Sequence, residues 1–266
     1  LHVYLQHRYP DLTGSDVNEV VNYLRHVSGQ THFERLRHTF QLVRDGYRYT
    51  RHGDGVNFDI RFIDFESPDC KKYNIFRAVN QFEVAYGMKD DVRIPDVLLF
   101  VNGIPLCIFE LKNPTKLDAD IAQAYEQIHI RYMRDIPHLL RYCPLSCISD
   151  ATANNTRLGT TYTPYEHYYA WKKVNNEDPS AQKGIDQVRT IVKGVYEPSR
   201  FLEILRDYVY FPDEKSGKEE EIVCRYPQFF ATRMMLDSIR RAFEEQTSKG
   251  GTYFGATGCG KTYTMM

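Results

Sequence analysis

Val92 to Pro114 reads VRIPDVLLFVNGIPLCIFELKNP. Two apolar runs, Val97 to Val101 and Leu106 to Leu111, flank Asn102-Gly103, a strong hairpin-turn signal, so they are expected to pair as adjacent antiparallel strands. Strands this apolar belong in a core. Yet Asp96 opens the first run, and Glu110 and Lys112 close the second.

Side chains alternate along a strand, so Glu110 and Lys112 share one face while Cys107, Phe109 and Leu111 take the other. Asp96 joins the Glu110 face only if it lies opposite Glu110, which requires facing residues whose numbers sum to 206. A two-residue Asn102-Gly103 loop gives 205 and throws Asp96 onto the far face. Either the loop has an odd number of residues or a bulge intervenes. Pro105 cannot donate a ladder hydrogen bond, which favours irregular pairing beside the turn.

Two carboxylates brought together repel unless a cation or a proton sits between them. A hard divalent ion suits them, since Mg²⁺ takes one or two carboxylates plus water and phosphate oxygens, and a nearby ammonium can orient an attacking water. The bare pattern also fits a surface Glu and Lys at a strand end beside an unrelated Asp at a turn.

Composition limits the alternatives. With 266 residues, 42% hydrophobic and 26% charged, the chain is long enough and apolar enough to bury a core. A formal net charge of −1 gives no overall basic field, so any polyanion site must be local. No apolar run reaches membrane-span length and the start lacks a secretory pattern, which predicts a cytoplasmic protein with no membrane partner. The six cysteines show no disulfide spacing, and His138, Cys143 and Cys147 lack paired metal-ligand spacing, so buried thiols are expected. The chain begins without Met and stops soon after a motif that needs a longer domain, which predicts a piece of a larger protein.

Helical spacing from about residue 15 to Asp45 predicts two opening helices, followed by strands from Tyr47 to Phe100, including an alternating run from Asn57 to Phe65. After the hairpin, Asp118 to Tyr132 is expected as helix, Leu139 to Ser149 as strand, and Thr160 to Val174 as aromatic-rich strand. Helical spacing returns at Ile185 to Val192, Ser199 to Leu205 and Phe229 to Phe243, and Pro212 to Glu221 reads as a solvated linker. This order predicts an α/β fold with mixed pairing.

Pro95-Asp96, followed after thirteen residues by Glu110-Leu111-Lys112, resembles the PD…(D/E)-x-K nuclease motif. Asn80-Gln81-Phe82, Arg93-Ile94-Pro95-Asp96, Leu99 to Leu106 and Glu110 to Pro114 further resemble the restriction subunit of type I restriction-modification enzymes, as do Ile63-Asp64-Phe65, Asp135-Ile136-Pro137, Tyr142 and Ile148-Ser149-Asp150. The resemblance is dense from Gly53 to Asp150. It implies a PD-(D/E)xK restriction-endonuclease-like core, a mixed sheet flanked by helices, over residues 1–195. It also implies catalysis by Asp96, Glu110 and Lys112, with Mg²⁺ on Asp96, Glu110 and the Leu111 backbone carbonyl, and products ending in a 5′-phosphate and a 3′-hydroxyl. Double-stranded DNA, a methyltransferase subunit and a specificity subunit are the implied partners, in a bacterial or archaeal cytoplasm.

One departure stands out. Related nucleases carry Q-x-x-x-Y on the helix after the hairpin, whereas here Gln127 precedes Tyr132 by five positions, as a one-residue insertion would produce. Both residues are candidates for support of the site, and helix surface or core is their alternative reading.

Gly255 to Thr262, GATGCGKT, fits the phosphate-binding G-x-x-x-x-G-K-[ST] pattern, with Thr252-Tyr253-Phe254 as the expected strand before it. Upstream, Arg225-Tyr226-Pro227-Gln228 resembles the adenine-reading glutamine element of superfamily 2 motors. The resemblance therefore implies that residues 196–266 are the helical start of such a motor, and that ATP would meet Gln228, Gly255, Gly258, Gly260, Lys261 and Thr262 in a full-length chain. The acidic partner of the phosphate loop is absent from this sequence, which makes an ATPase the weakest reading of the chain by itself.

Two functions of different kind remain: a metal-dependent DNA endonuclease, and a nonenzymatic nuclease-like scaffold that docks a motor to DNA or partner subunits. A docking surface has no need of Asp96, Glu110 and Lys112 together. Lys116, Arg131, Arg134 and Lys172-Lys173 are candidate phosphate contacts, solvated charge being their commoner meaning. Tyr162, Tyr165, Tyr168, Tyr169 and Trp171 are expected to pack rather than stack on bases. Glu34 is a candidate third acid from the opening helices.

Overall fold

Thr13 and Thr31 open two helices by the same device. Each hydroxyl accepts a backbone N–H three residues on, from Asp16 or Glu34, whose carboxylate in turn accepts the threonine N–H; such a cap contributes ~1 kcal/mol. The helices are α2 (Gly14–Arg25) and α3 (His32–Asp45), preceded by a short α1 (His2–Arg8) that periodicity did not reveal. These belong to a computed structural model that describes residues 1–266 apart from 88–90, 113–119, 151–154, 181–183, 213–218, 248, 256–259 and 265–266. Glu34 is engaged in its capping box, accepting from the Gln30 and Thr31 N–H groups. It is a helix-capping acid and joins no carboxylate cluster among the described residues.

Gly46 ends α3 at φ +71°, where an added Cβ would overlap the carbonyl of Ile60. A hairpin follows, β1 (Tyr47–Thr50) with β2 (Asn57–Ile60). The alternating run stops pairing at Ile60 because the Arg61 N–H is taken by the Tyr9 hydroxyl at 2.7 Å.

The main sheet comprises β3 (Phe76–Asn80), β6 (Val97–Val101), β7 (Ile104–Leu111), β8 (Leu145–Ser149) and β9 (Thr156–Gly159), in the order β3-β6-β7-β8-β9. A separate ribbon pairs β4 (Val84–Tyr86) with β5 (Asp91–Arg93). Within the main sheet β7 and β8 run parallel and the remaining neighbours antiparallel. A parallel pair needs a crossover. Here it is helical: α4 (Ile121–Glu126), a π-helical turn over Gln127–Tyr132, α5 (Met133–Asp135) and α6 (Pro137–Leu140). The expected helix start at Asp118 lies outside the described residues.

Helices cover both faces. Leu106, Cys107 and Phe109 pack with the opening helices and with α7 (Ile185–Val195) and α8 (Pro198–Asp207), whereas Leu98, Ile108 and Ile148 pack under Ile121, Ala124, Ile128, Tyr132 and Ile136 of the crossover. The result is an α/β fold built on a mixed five-stranded sheet. Cys143 and Cys147 are buried free thiols, as their spacing suggested.

Three expectations need correction. The strand expected from Leu139 starts only at Leu145, because Pro137 opens a helical turn whose Leu139 and Leu140 are buried. Thr160 to Val174 is not a strand: the Thr163 and Thr160 hydroxyls accept the N–H groups of Thr160 and Tyr162, Pro164 has none, and only a 3₁₀ turn (Tyr165–His167) and a Leu158–Tyr169 bridge form. Its aromatics do pack, with Tyr168 and Trp171 buried.

The chain continues through β10 (Val209–Tyr210), β11 (Ile222–Val223), α9 (Tyr226–Glu244) and α10 (Lys261–Thr264). Thr252-Tyr253-Phe254 forms no strand, the third correction, and Phe254 is largely exposed. Most of the stretch expected as a solvated linker lies outside the described residues, but its last residue, Glu221, is buried. Among the described residues no helix is long and apolar enough to cross a membrane.

Candidate active site

The β6–β7 hairpin changes register along its length. Val101 faces Ile104 and Phe100 faces Pro105, the pairing set by a two-residue turn, but Leu99 faces Cys107, Leu98 faces Ile108 and Val97 faces Phe109. Leu106 is the extra residue, in a bulge beside Pro105. Leu106 and Cys107 consequently enter the same core cluster, which strict alternation forbids. The bulge moves the pairing from the turn's register to the one that Asp96 and Glu110 require.

The turn itself is pinned. Asn102 and Gly103 have φ of +54° and +84°. Asn102 is buried: its side chain accepts from the Ile75 N–H and donates to the Phe62 carbonyl and to Asn74 Oδ1, all within 2.8–2.9 Å. Asn74 in turn holds the backbone of Asp64 in both directions. Gln81, at φ +49° after β3, donates its N–H to the Asp96 carbonyl at 3.0 Å.

Beyond the bulge the charged groups converge. Asp96 Oδ2 accepts the Leu111 N–H at 2.7 Å, binding the start of β6 to the end of β7. Glu110 is only 2% exposed. Its Oε1 accepts from Lys112 Nζ at 2.9 Å and its Oε2 faces the Tyr132 hydroxyl at 3.1 Å. The Lys112 N–H donates to the Ser149 carbonyl, extending the β7–β8 pairing to the lysine.

Gln127 and Tyr132 come from the crossover. Lys112 Nζ donates to Gln127 Oε1 at 2.5 Å, and Gln127 Nε2 donates to the Tyr132 hydroxyl at 2.7 Å. Five-residue spacing would separate these side chains by about 140° on an α-helix. The π-turn, bonded i to i+5, brings them onto one face and accommodates the extra residue.

Burial raises the Glu110 carboxyl to about 7, with the nearby Asp96 charge adding to the shift and Lys112 and Tyr132 opposing it. Keeping it ionised above that pH costs ~3 kcal/mol. Asp96, Glu110 and the Leu111 carbonyl at the same strand end are oxygen donors of the kind that could hold a hard divalent cation.

Sequence reasoning did not foresee how the site is braced. Asp135 on α5 accepts from Arg134 and from Arg93 of β5, whose guanidinium also lies over the Tyr86 ring. The two words Arg93-Ile94-Pro95-Asp96 and Asp135-Ile136-Pro137 are therefore halves of one contact. Arg131 and Lys172 are exposed, Arg134 is paired with Asp135, and Lys173 bonds the Asn176 carbonyl. Lys116, Asn113 and Pro114 lie outside the described residues.

In the C-terminal part, Gln228 Oε1 accepts the Arg225 N–H at 2.7 Å while its Nε2 donates to the Gly260 carbonyl at 3.1 Å. Gln228 and Gly260, which lie in the two C-terminal sequence patterns, thus meet. Lys261 Nζ donates to the Gly255 carbonyl, and Thr262 is exposed on α10. Gly258 lies outside the described residues. A cavity of about 490 Å³ opens here between Tyr169 and Trp171 on one side and Arg225, Gln228 and Gly260 on the other.

The helix-flanked mixed sheet, with acid and lysine side chains gathered at the end of its central hairpin, is an α/β architecture compatible with a nuclease-like core. The chain belongs to the family described as type I restriction enzyme R protein N terminus, whose sequence model matches residues 7–167. It is 32% identical over 258 residues to the type I restriction enzyme HindI endonuclease subunit of Haemophilus influenzae, covering 96% of this chain and 23% of that protein. It is 25% identical over 249 residues to the putative type I restriction enzyme MjaIXP endonuclease subunit of Methanocaldococcus jannaschii, covering 85% of this chain and 23% of that one. A second protein of that organism, the putative MjaVIIP endonuclease subunit, is 28% identical over 180 residues, or 64% of this chain and 16% of its own length. The chain spans less than a quarter of the length of these curated relatives.

Proposed function

We propose that this chain is the DNA-cleaving part of a type I restriction enzyme, hydrolysing phosphodiester bonds with Asp96, Glu110 and Lys112. The observation that carries the reading is the bulge at Leu106, which sets the register that puts Asp96 beside the Glu110–Lys112 face. A nonenzymatic scaffold gives no reason to bury an acid beside a second one.

Asp96, Glu110 and the Leu111 carbonyl would hold Mg²⁺, which when bound would supply polarisation of a phosphodiester oxygen and stabilisation of charge developing on the phosphate. Lys112 orients the attacking water and favours its deprotonation. Gln127 fixes the ammonium, since its amide oxygen accepts from Lys112 while its nitrogen is held by Tyr132. Tyr132 steers Glu110 Oε2. Duplex DNA is the substrate, and the methyltransferase and specificity subunits are the partners that supply sequence recognition.

In the intact subunit we further assign residues 196–266 to the start of an ATP-driven motor, with ATP at Gln228, Gly255, Gly258, Gly260, Lys261 and Thr262. The Gln228–Gly260 contact and the adjoining cavity support it.

The test is DNA cleavage by the assembled full-length enzyme carrying Asp96→Ala, Glu110→Ala or Lys112→Ala, with ATP hydrolysis measured in parallel. The two acid variants lose cleavage with metal binding, and Lys112→Ala keeps metal but slows hydrolysis by about 10²-fold or more. Parental cleavage in all three, with ATP hydrolysis intact, would favour the scaffold.

A further inference from the structure

An α-helix and a π-turn cannot both satisfy the crossover. Ile121 and Ala124 are buried before the turn, Ile128 and Tyr132 within it near its two ends, and Ile136 after it, so both flanks are fixed by packing. The last of these residues precede α6, and Asp135 is further held by Arg93. One surplus residue between fixed ends must bulge outward. It does so at the solvent side, where Ile130 is 59% exposed and Arg131 is exposed.

π-turns are rare because their hydrogen-bond geometry and packing are less favourable than those of an α-helix, so something must hold this one. His129, within the turn, provides the contact. Its Nε2 lies 2.9 Å from the Tyr168 hydroxyl, and the Tyr125 ring stacks on its imidazole at 3.9 Å. Tyr168 is itself immobilised: it is 4% exposed, its hydroxyl donates to the Thr160 carbonyl at 2.9 Å, and it shares a short hydrogen bond with Ser146 of β8. With the phenol proton on Thr160, the Tyr168 oxygen accepts from His129 Nε2–H. Burial keeps the imidazole neutral, with its pKa pushed down to about 4.

We infer that His129 and Tyr168 are positioning residues of the candidate centre: by holding the π-turn they keep Gln127 and Tyr132 on one face, against Lys112 and Glu110. Neither bonds to those two charged groups among the described residues. The inference rests on the nuclease reading for its effect on cleavage, but the geometry it predicts is independent of that reading.

The experiment uses three variants: Tyr168→Phe, which keeps the ring and removes the shared hydroxyl; deletion of Ile130, which lets an ordinary α-helix bring Gln127 and Tyr132 together at four-residue spacing; and both combined. DNA cleavage by the full-length assembled enzyme is expected to fall in Tyr168→Phe, by about 10²-fold if the misplacement reaches 1 Å. It should stay near parental on deletion of Ile130, and the deletion should rescue Tyr168→Phe. A hydroxyl that served only general stability would not be rescued by shortening a different element.

Crystal structures of the same variants read the geometry without activity. The Gln127–Tyr132 hydrogen bond should persist in the deletion and the double variant and be lost in Tyr168→Phe. Its persistence in Tyr168→Phe, its loss on deletion of Ile130, or failure of the rescue would overturn the inference. If the geometry behaves as expected while Lys112→Ala still cleaves at the parental rate, the nuclease reading fails and the positioning role stands.

Discussion

Arg93 on β5 and Asp135 on α5, forty-two residues apart in the chain, are joined through Arg93 Nε at 2.7 Å and through its terminal nitrogen at 2.6 Å. The contact ties the strand that leads into Asp96 to the helical crossover that carries Gln127 and Tyr132. Tyr132 adds to it, its hydroxyl lying 3.3 Å from the Ile94 carbonyl. The two halves of the site are thus clamped from outside it.

Arg134 first, and Arg93 with it, hold the Asp135 carboxyl down to about 2, against some opposing burial. A depressed pKa contributes stability that is complete above the ordinary carboxyl value of 3.8 and is lost as pH falls toward about 2. Asp135→Asn should therefore lower the thermal midpoint at pH 7, with the gap to the parent narrowing as pH drops from 4 toward 2. A gap that stays constant over that range would show that the carboxylate charge is not what holds α5.

Glu110 has the opposite sign. Its pKa is raised from 4.5 to about 7, so the stabilisation from binding its proton is complete below 4.5 and is lost as pH rises through about 7. In metal-free protein, Glu110→Gln should match the parent near pH 4 and exceed it above pH 7 by up to ~3 kcal/mol. Urea denaturation at the two pH values measures this. The same variant should lose DNA cleavage, because the strain it relieves is the charge that attracts the cation.

Asn102→Gly would suit a turn with two positive φ values, since glycine adopts that conformation without strain. We expect it to destabilise nonetheless, by ~1–3 kcal/mol, because it removes three buried side-chain hydrogen bonds and strands the Ile75 N–H and the Phe62 carbonyl. Denaturant midpoints decide between the two effects. A more stable glycine variant would mean that turn conformation outweighs the buried network.

Glu221 is 2% exposed, and neither carboxyl oxygen has a hydrogen-bond partner among the described residues, although Thr160 holds its backbone carbonyl. Burial pushes its pKa well above the carboxylate range. Replacing it with leucine removes an unsatisfied buried group, and we expect a gain of about 1 kcal/mol or more. Its advantage should grow with rising pH as the parent is forced to ionise. Equal loss of stability at every pH would point instead to a carboxyl partnered in the folded protein.

Local pattern determined much of this molecule. The Asn102-Gly103 turn with its flanking apolar runs, the capped opening helices and the amphipathic α9 are each written within a few residues, because turn conformation, capping and helical periodicity depend on near neighbours. An irregularity in the hairpin was legible too, as either an odd-length loop or a bulge, since the turn's register and the Asp96–Glu110 alignment differ by one residue; the fold decided for the bulge. What only tertiary structure decided depends on partners distant in the chain. Tyr168 holds His129 and so permits a π-turn that helical spacing cannot specify, and the hydroxyls of Thr160 and Thr163 draw an aromatic, strand-like stretch into turns. Glu221, at the end of a run of charges, is carried into the interior beside Thr160, an outcome that a charge count assigns to water. A sequence shows which groups a segment offers; the competition among distant groups for each hydrogen bond and each buried volume is settled only when the chain is folded.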